Sequence, residues 1–355
     1  MTTIVNVEGP FQPQTKLSQY KVVLGSGAIQ SPKYMHIDTL PDCNIVLREV
    51  TEASMRSGLG VLFNTEGKAI PPTDYIAGNV DGCRLSGPHS IHAGTLDRSV
   101  VLGYNRGWQN FYHYLIQSCF SVWLARRYLS HLDPLFVMPD INAAAREWLI
   151  RTGVPENSIL TIRYGANILF PKVWLVETLY GMAYSQARLD GKQFASDVPS
   201  SLIRDFGQDV FKQSGANENR ARKIYVSRRD SQLRPLLNER ALEDRLAEQG
   251  FVIVTPSTLD PKAQIETFRS ADIIVAPHGA ALSNTVFCRP GTKIVELTSD
   301  FYQNACFCYL SQIISADHTV FVGKLTEDKN SNRHLQAWTL DIDEVMATIE
   351  TAVAA

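Results

Sequence analysis

From Lys223 onward, short apolar runs alternate with stretches of helical periodicity, and this alternation restricts the second half of the chain to a sheet covered by helices. Lys223–Ser227, Phe251–Val254, Asp272–Ala276, Lys293–Glu296 and Thr319–Val322 read as strands. Asn238–Gln249, Pro261–Arg269, Ala281–Phe287 and Asn304–Ser315 read as the intervening helices. Asn238 stands at a cap position, Pro261 in a first turn and Gly250 where a helix stops. Strict strand–helix alternation implies parallel strands joined by crossovers, a doubly wound, Rossmann-like α/β domain. Ligands of such sheets lie beyond the carboxyl ends of the strands. The informative residues are therefore Ser227–Arg229, Thr255–Pro256, Pro277–Gly279, and Glu296 with Leu297.

The first half is less regular. Apolar runs at Val22–Leu24, Ile45–Leu47 and Val61–Phe63 are separated by Gly, Pro and Asp turns. Ser99–Leu102 then reads as a buried strand and Asn110–Leu129 as a helix, with Phe111, Leu115, Cys119, Val122 and Leu129 among its apolar positions. Leu135–Met138 (strand), Asn142–Arg151 (helix, stopped by Gly153) and Val173–Val176 (strand) extend the pattern and predict a second parallel sheet. Periodicity lapses over Ser185–Ser200, which places a domain boundary there. The expected division is 1–200 for an N-terminal domain, 201–335 for a C-terminal nucleotide-binding domain and 336–355 for a terminal helix capped by Asp341. A length of 355 residues fits two domains of ~150 residues each.

Composition excludes several classes. A net charge of -2 supplies no global positive field for nucleic acid or anionic lipid. The first residues lack a basic start followed by an apolar core, and no run approaches the ~20 apolar residues of a spanning helix. A cytoplasmic protein is expected, at most peripheral to a membrane face. Cys43, Cys83, Cys119, Cys288, Cys306 and Cys308 form no CxxC pair and are expected as buried, reduced thiols rather than a zinc site.

Four segments carry chemistry. Pro277-His-Gly-Ala-Ala-Leu-Ser-Asn284 joins a strand to a helix through a small-residue turn. Gly279 permits close backbone approach, the helix start offers unpaired N–H groups to a diphosphate, and His278 can donate a hydrogen bond. Neither GxGxxG nor a Walker A sequence is present, which disfavours dinucleotide and P-loop readings. Arg228 and Arg229 follow Tyr225-Val-Ser227 at a strand end and suit a leaving diphosphate. Successive residues of an extended chain point in opposite directions, so one of the two is expected to face the ligand, and surface pairing with Asp230 is the alternative. Glu296 closes a strand where a carboxylate can accept ribose hydroxyls or act as a solvated or capping residue. His113, among aromatics in Asn110-Phe-Tyr-His-Tyr-Leu115, can serve as a base toward an acceptor hydroxyl, with Asp97 second, or be a satisfied core histidine. His89 and His92 have an HxxH spacing without a third ligand, and Asp341-Ile-Asp343 reads as helix capping rather than a metal motif.

Taken in order, Asn110–Leu115, Tyr225–Arg229, Ile274–Asn284 and Cys288–Leu297 resemble the motifs of glycosyltransferase family 61. The resemblance runs from about residue 100 to 300. It implies a GT-B architecture, with two Rossmann-like domains facing a cleft and the last helix crossing back to the N-terminal, acceptor-side domain. It implies inverting, metal-independent transfer from a UDP-sugar of a hexose, N-acetylhexosamine or pentose. The acceptor would be a hydroxyl of a glycan or lipid-linked precursor in capsule, exopolysaccharide or lipopolysaccharide synthesis. The nucleotide sugar is a substrate; no cofactor or metal is expected. On this reading His113, Arg228 and Arg229 are catalytic. Ser227, His278, Gly279, Ala280, Ala281, Leu282, Asn284 and Glu296 hold the donor, and Asn110 and Tyr112 line the acceptor side. A nucleotide-sugar epimerase and a non-catalytic nucleotide-sugar-binding scaffold are the alternatives.

Overall fold

A computed structural model describes residues 4–7, 20–29, 45–71, 73, 91–92, 96–176, 200–218, 222–302, 304–326 and 335–354. In chain order the strands are β1 (Ile4–Val7), β2 (Lys21–Leu24), β3 (Ile45–Arg56), β4 (Ile91–His92), β5 (Val100–Leu102), β6 (Leu135–Pro139), β7 (Ile159–Ile162) and β8 (Asn167–Val176). They continue with β9 (Arg222–Val226), β10 (Val252–Val254), β11 (Ala271–Pro277), β12 (Lys293–Ser299), β13 (Asp317–Leu325) and β14 (Trp338–Thr339). The α-helices are α1 (Phe120–Tyr128), α2 (Ala143–Arg151), α3 (Ser200–Ser214), α4 (Glu239–Glu248), α5 (Pro261–Arg269), α6 (Cys306–Ile313) and α7 (Ile342–Ala354).

The chain divides into two compact units, Met1–Pro13 with Pro41–Gln213, and Gln14–Leu40 with Ser214–Ala355. The division falls later than residue 200 because α3 packs with the first unit. Phe206 meets Phe120 and Trp123 edge-on at 5.6 and 5.8 Å, and Trp123 Nε1 donates to Asp209 Oδ2 at 3.3 Å. Early residues also join the second unit. There β2 lies parallel to β13 along Thr319–Val322, Gly25 N donates to Val322 O at 2.9 Å, and Ser26 N donates to Glu344 Oε2 at 2.9 Å.

The first unit carries a sheet in the order β1-β3-β8-β5-β6-β7, with β4 beside β8. Strands β5, β6 and β8 run parallel, as the sequence predicts, and β7 adds a parallel strand that the sequence reading did not select, but β3 is antiparallel to both β1 and β8, so the sheet is mixed rather than parallel. The sequence shows only the start of β3 because charged residues interrupt its apolar run. Leu47, Ala53 and Met55 are buried while Thr51 and Glu52 are exposed. Asn142 caps α2, accepting from Ala145 N at 2.8 Å.

In the second unit β10, β9, β11, β12 and β13 form the expected parallel core, with antiparallel β14 pairing β13 at Lys324 and Leu325. One face buries Tyr225, Leu242, Leu246, Val275, Val295 and Phe321 with Val345, Met346 and Ile349 of α7. The terminal helix therefore closes the core of its own unit. Asp341 caps this helix by accepting from Glu344 N at 3.0 Å. Asn238 stands at the cap position of α4 but makes no cap bond; its Nδ2 donates to Leu340 O at 2.8 Å, tying α4 to the strand-end segment before α7.

Candidate functional site

Strands β9 and β11 are parallel neighbours, so the segments leaving their carboxyl ends emerge at the same edge of the sheet. The loop after β9 reaches the turn after β11. A Cβ at Gly279 would lie 2.7 Å from Arg228 Nε, so only glycine lets the guanidinium lie against this turn. The Gly279 backbone itself is extended, with φ -175°, so close approach rather than strain selects the residue. Arg228 Nη1 donates to His278 O, and Nη2 donates to Ser231 Oγ at 3.1 Å and Leu233 O at 3.2 Å. The alternation of an extended chain then sends Arg229 the other way, where its half-exposed side chain pairs with buried Glu243 at 2.9 Å. Arg228 is therefore the arginine on the turn. Ser227 is buried and its Oγ accepts from Arg229 N at 3.4 Å, so it braces this loop.

Arg234, a loop arginine outside the motifs read from the sequence, completes the cationic edge. Its guanidinium sits 4.2 Å from the centre of the Tyr302 ring, and that ring lies 5.4 Å from the His278 imidazole. Burial and the neighbouring Arg234 pull Arg228 down to about 10, which leaves it cationic at neutral pH. Two like charges held together in a partly desolvated place favour an anion between or beside them. The junction of β9 with α4 holds a buried carboxyl of its own, whose pKa burial raises against the lowering effect of its hydrogen bonds. Glu239, in the first turn of α4, accepts from Arg228 N at 2.7 Å and from Tyr225 OH at 3.0 Å.

That turn enters the expected short helix, which is a 3₁₀-helix over Ala280–Phe287, and Leu282 N donates to Gly279 O at 2.9 Å. The N–H groups of Ala280 and Ala281 precede this bond and have no carbonyl of the helix behind them. Both residues are partly exposed. Leu282 and Asn284 are fully buried: Asn284 Nδ2 donates to Gln264 Oε1 at 3.0 Å and to Ala281 O at 3.1 Å. Both expected donor contacts thus pack on the core side of the turn.

Glu296 is likewise not at the surface. It is fully buried, with Oε1 accepting from His278 Nδ1 and Oε2 from His318 Nε2 at 2.9 Å. Cys308 Sγ lies 3.9 Å from Oε2, and His318 Nδ1 lies 2.8 Å from Ser311 Oγ. Burial alone would raise this carboxyl, but the charge and hydrogen bonds of His278 and His318 outweigh it and hold it at about 2. The expected ribose carboxylate is instead a buried anion that orients His278. With Nδ1 committed to Glu296, Nε2 is the His278 nitrogen left to address a ligand. His318 was missed because an isolated histidine at a strand start carries no motif.

In the first unit, Asn110 Oδ1 accepts from Tyr112 N at 2.9 Å, an Asx turn that opens the helix. The chain then winds as a π-helix over His113–Cys119 before α1 begins, a form often found at functional positions. His113 stacks edge-on with Tyr112 at 5.5 Å, and its Nδ1 lies 2.8 Å from Gln117 Oε1. Burial lowers the pKa of His113, partly offset by the Gln117 bond, so the ring is a neutral base at neutral pH. Asp97 is exposed before β5.

The remaining sequence signals are structural or undescribed. Asp341 caps α7, and Asp343 pairs with Arg245 at 3.5 Å. His89, Cys43, Cys83 and the His92 side chain lie outside the described residues, whereas Cys119, Cys288, Cys306 and Cys308 are buried free thiols. Among the described residues, the ligand atoms of Glu296, Cys308 and His318 lie within 4.8 Å of one another. The hydrogen bonds already described satisfy the carboxylate and imidazole without an ion. No helix of the described residues is long and apolar enough to cross a membrane.

The family model described as Glycosyltransferase 61 matches residues 35–295, well over half the chain. No curated protein matches it. The chain belongs to glycosyltransferase family 61, and glycosyl transfer is its class of activity.

Proposed function

We propose that this member of glycosyltransferase family 61 is an inverting, metal-independent enzyme that moves a sugar from a UDP-sugar to a hydroxyl of a glycan or lipid-linked precursor. The observation that carries the reading is the contact of the Arg228 guanidinium with the Gly279 turn, beside Arg234 and His278. The donor diphosphate lies at that turn, accepting from the N–H groups of Ala280 and Ala281, with Arg228 and Arg234 supplying positive charge and His278 held beside it by Glu296. As the bond from the anomeric carbon to the diphosphate breaks, charge grows on the leaving oxygen, and fixed cationic donors there lower the barrier. In the first unit, His113 Nε2 takes the proton from the acceptor hydroxyl as that oxygen bonds the anomeric carbon from the opposite face. On this reading the second unit carries the donor residues and the first carries the acceptor base. Asp341 caps α7 and exposed Asp343 lies 3.5 Å from Arg245; on this reading the arginines of the second unit, not these carboxylates, act on the diphosphate.

The test is a thermal-shift screen of nucleotide sugars followed by transfer assays with added chelator. A donor at 100 times its dissociation constant should add about 2.7 kcal/mol to the unfolding free energy. Proton NMR of the product should show inversion at the anomeric carbon. Loss of turnover on chelation would refute metal independence. An isomeric nucleotide sugar formed without acceptor would mark an epimerase, and binding without turnover a scaffold; either would refute the proposal.

A further inference from the structure

Behind His113 lies a buried pair of side-chain amides, and their orientation follows from one donor whose identity is not in question. The backbone N–H of Gly107 donates to the Asn105 side chain at 2.8 Å, so the atom it meets is Oδ1. The other arm of Asn105 is then Nδ2, a donor, and it lies 2.7 Å from the Gln117 side chain. The Gln117 atom receiving it must be Oε1. The same oxygen lies 2.8 Å from His113 Nδ1, and an amide oxygen has no hydrogen to give. Nδ1 of His113 must therefore carry the proton. Asn105 and Gln117 are both almost wholly buried, so water is not at hand to replace either partner. Reversing one amide would set donor against donor in the interior, where no water can relieve the clash.

From this chain of donors we infer that Asn105 and Gln117 are positioning residues that fix neutral His113 as the Nδ1–H tautomer, presenting the Nε2 lone pair as the base. The inference rests on the reading of His113 as the general base. The π-helix contributes by setting His113 and Gln117, four residues apart, on one side of its wider turn. Gly60 contributes by letting the Asn105 backbone approach: a Cβ there would lie 2.6 Å from the Asn105 carbonyl carbon. Gln117 thus stands to His113 as Glu296 stands to His278. The difference is charge: a neutral amide fixes the tautomer without raising the basicity of the ring, whereas a carboxylate would do both.

The decisive measurement is nitrogen NMR of the whole protein labelled at its histidines, with His113 assigned through His113→Gln and recorded well above its pKa. A pyrrole-like Nδ1 and a pyridine-like Nε2 are expected; the reverse pattern, or equal populations, would overturn the inference without any variant having to fold. Gln117→Glu should raise the His113 pKa and move the acidic limb of the kcat/KM profile upward by the same amount. Gln117→Met should lower kcat about tenfold or more while leaving the donor KM within about twofold, because the loss is of a base held in one protonation form. An unmoved acidic limb in Gln117→Glu would also overturn it. The two readings separate cleanly. If His113→Gln transfers sugar at the wild-type rate while the Nδ1–H pattern holds, the base assignment fails and the tautomer lock stands. If His113→Gln is inactive and the pattern is reversed, the base assignment stands and the lock fails.

Discussion

Replacing Glu296 by glutamine should destabilise the second unit rather than simply weaken donor binding. The carboxylate is fully buried and its two oxygens accept from His278 and His318. Its pKa falls from 4.5 to about 2 despite a desolvation penalty that acts in the opposite direction. At about 1.36 kcal/mol per pKa unit, that drop corresponds to ~3 kcal/mol of stability held by the ionised form. Because the folded pKa is depressed, this contribution is complete above 4.5 and is lost as pH falls from there toward about 2. Glutamine keeps one acceptor but turns an N–H toward the other histidine, leaving a buried donor facing a donor. The variant should therefore lose ~3 kcal/mol at neutral pH, and the gap from wild type should narrow as acidity enters that window. Guanidinium unfolding followed by tryptophan fluorescence reports the change, since Trp338 sits in the core of this unit with 3% exposure. A ribose-binding carboxylate would instead give an equally stable variant with lower donor affinity. An unchanged unfolding midpoint at neutral pH, or a gap that stays constant on acidification, would refute the buried-anchor account.

Three further expectations separate the remaining roles. Arg228→Ala should lower kcat/KM by ~100-fold or more, whereas Arg229→Ala, which loses a half-exposed pair with Glu243, should stay within about tenfold; steady-state transfer assays decide this, and equal losses would refute the assignment of Arg228 to the turn. Gly279→Ala forces Arg228 off the turn and should weaken UDP binding about tenfold in calorimetry, with the fold retained; an unchanged affinity would show that this contact does not shape the site. Gly60→Ala combines φ +64° with a clash against the Asn105 backbone, so it should cost ~1–3 kcal/mol in chemical unfolding and lower transfer through His113; a neutral effect on both would deny the backbone contact any role.

The parallel core of the second unit was legible because its strands are covered on both faces and read as uninterrupted apolar runs between capped helices. The first unit was less so. A twelve-residue strand with charged residues on its open face looks like broken loop, and its antiparallel pairing is a tertiary fact. The positions at strand ends were found by the rule that ligands bind there, and Arg228, His278 and Gly279 do meet. Glu296 obeyed the same rule and was misread, because sequence cannot tell whether a strand-end carboxylate looks outward or is covered by histidines from β13 and the turn. Gln117 and Arg234 were passed over: one looks like a polar residue in a buried helix, the other like a loop arginine, and each gains meaning only from its partner.

By itself the sequence determined the alternation of strands and helices, the small-residue turn at Pro277–Ala281, the paired arginines and the motif order that marks the family, because these depend on local periodicity and spacing. Only the tertiary structure decided that Arg228 rather than Arg229 lies on the turn, that residues 20–29 and α7 belong to the second unit, and that Glu296 is an interior anion. Those outcomes depend on which distant side chains share a desolvated space, and hydrogen bonds and charge compensation there join residues far apart in the chain.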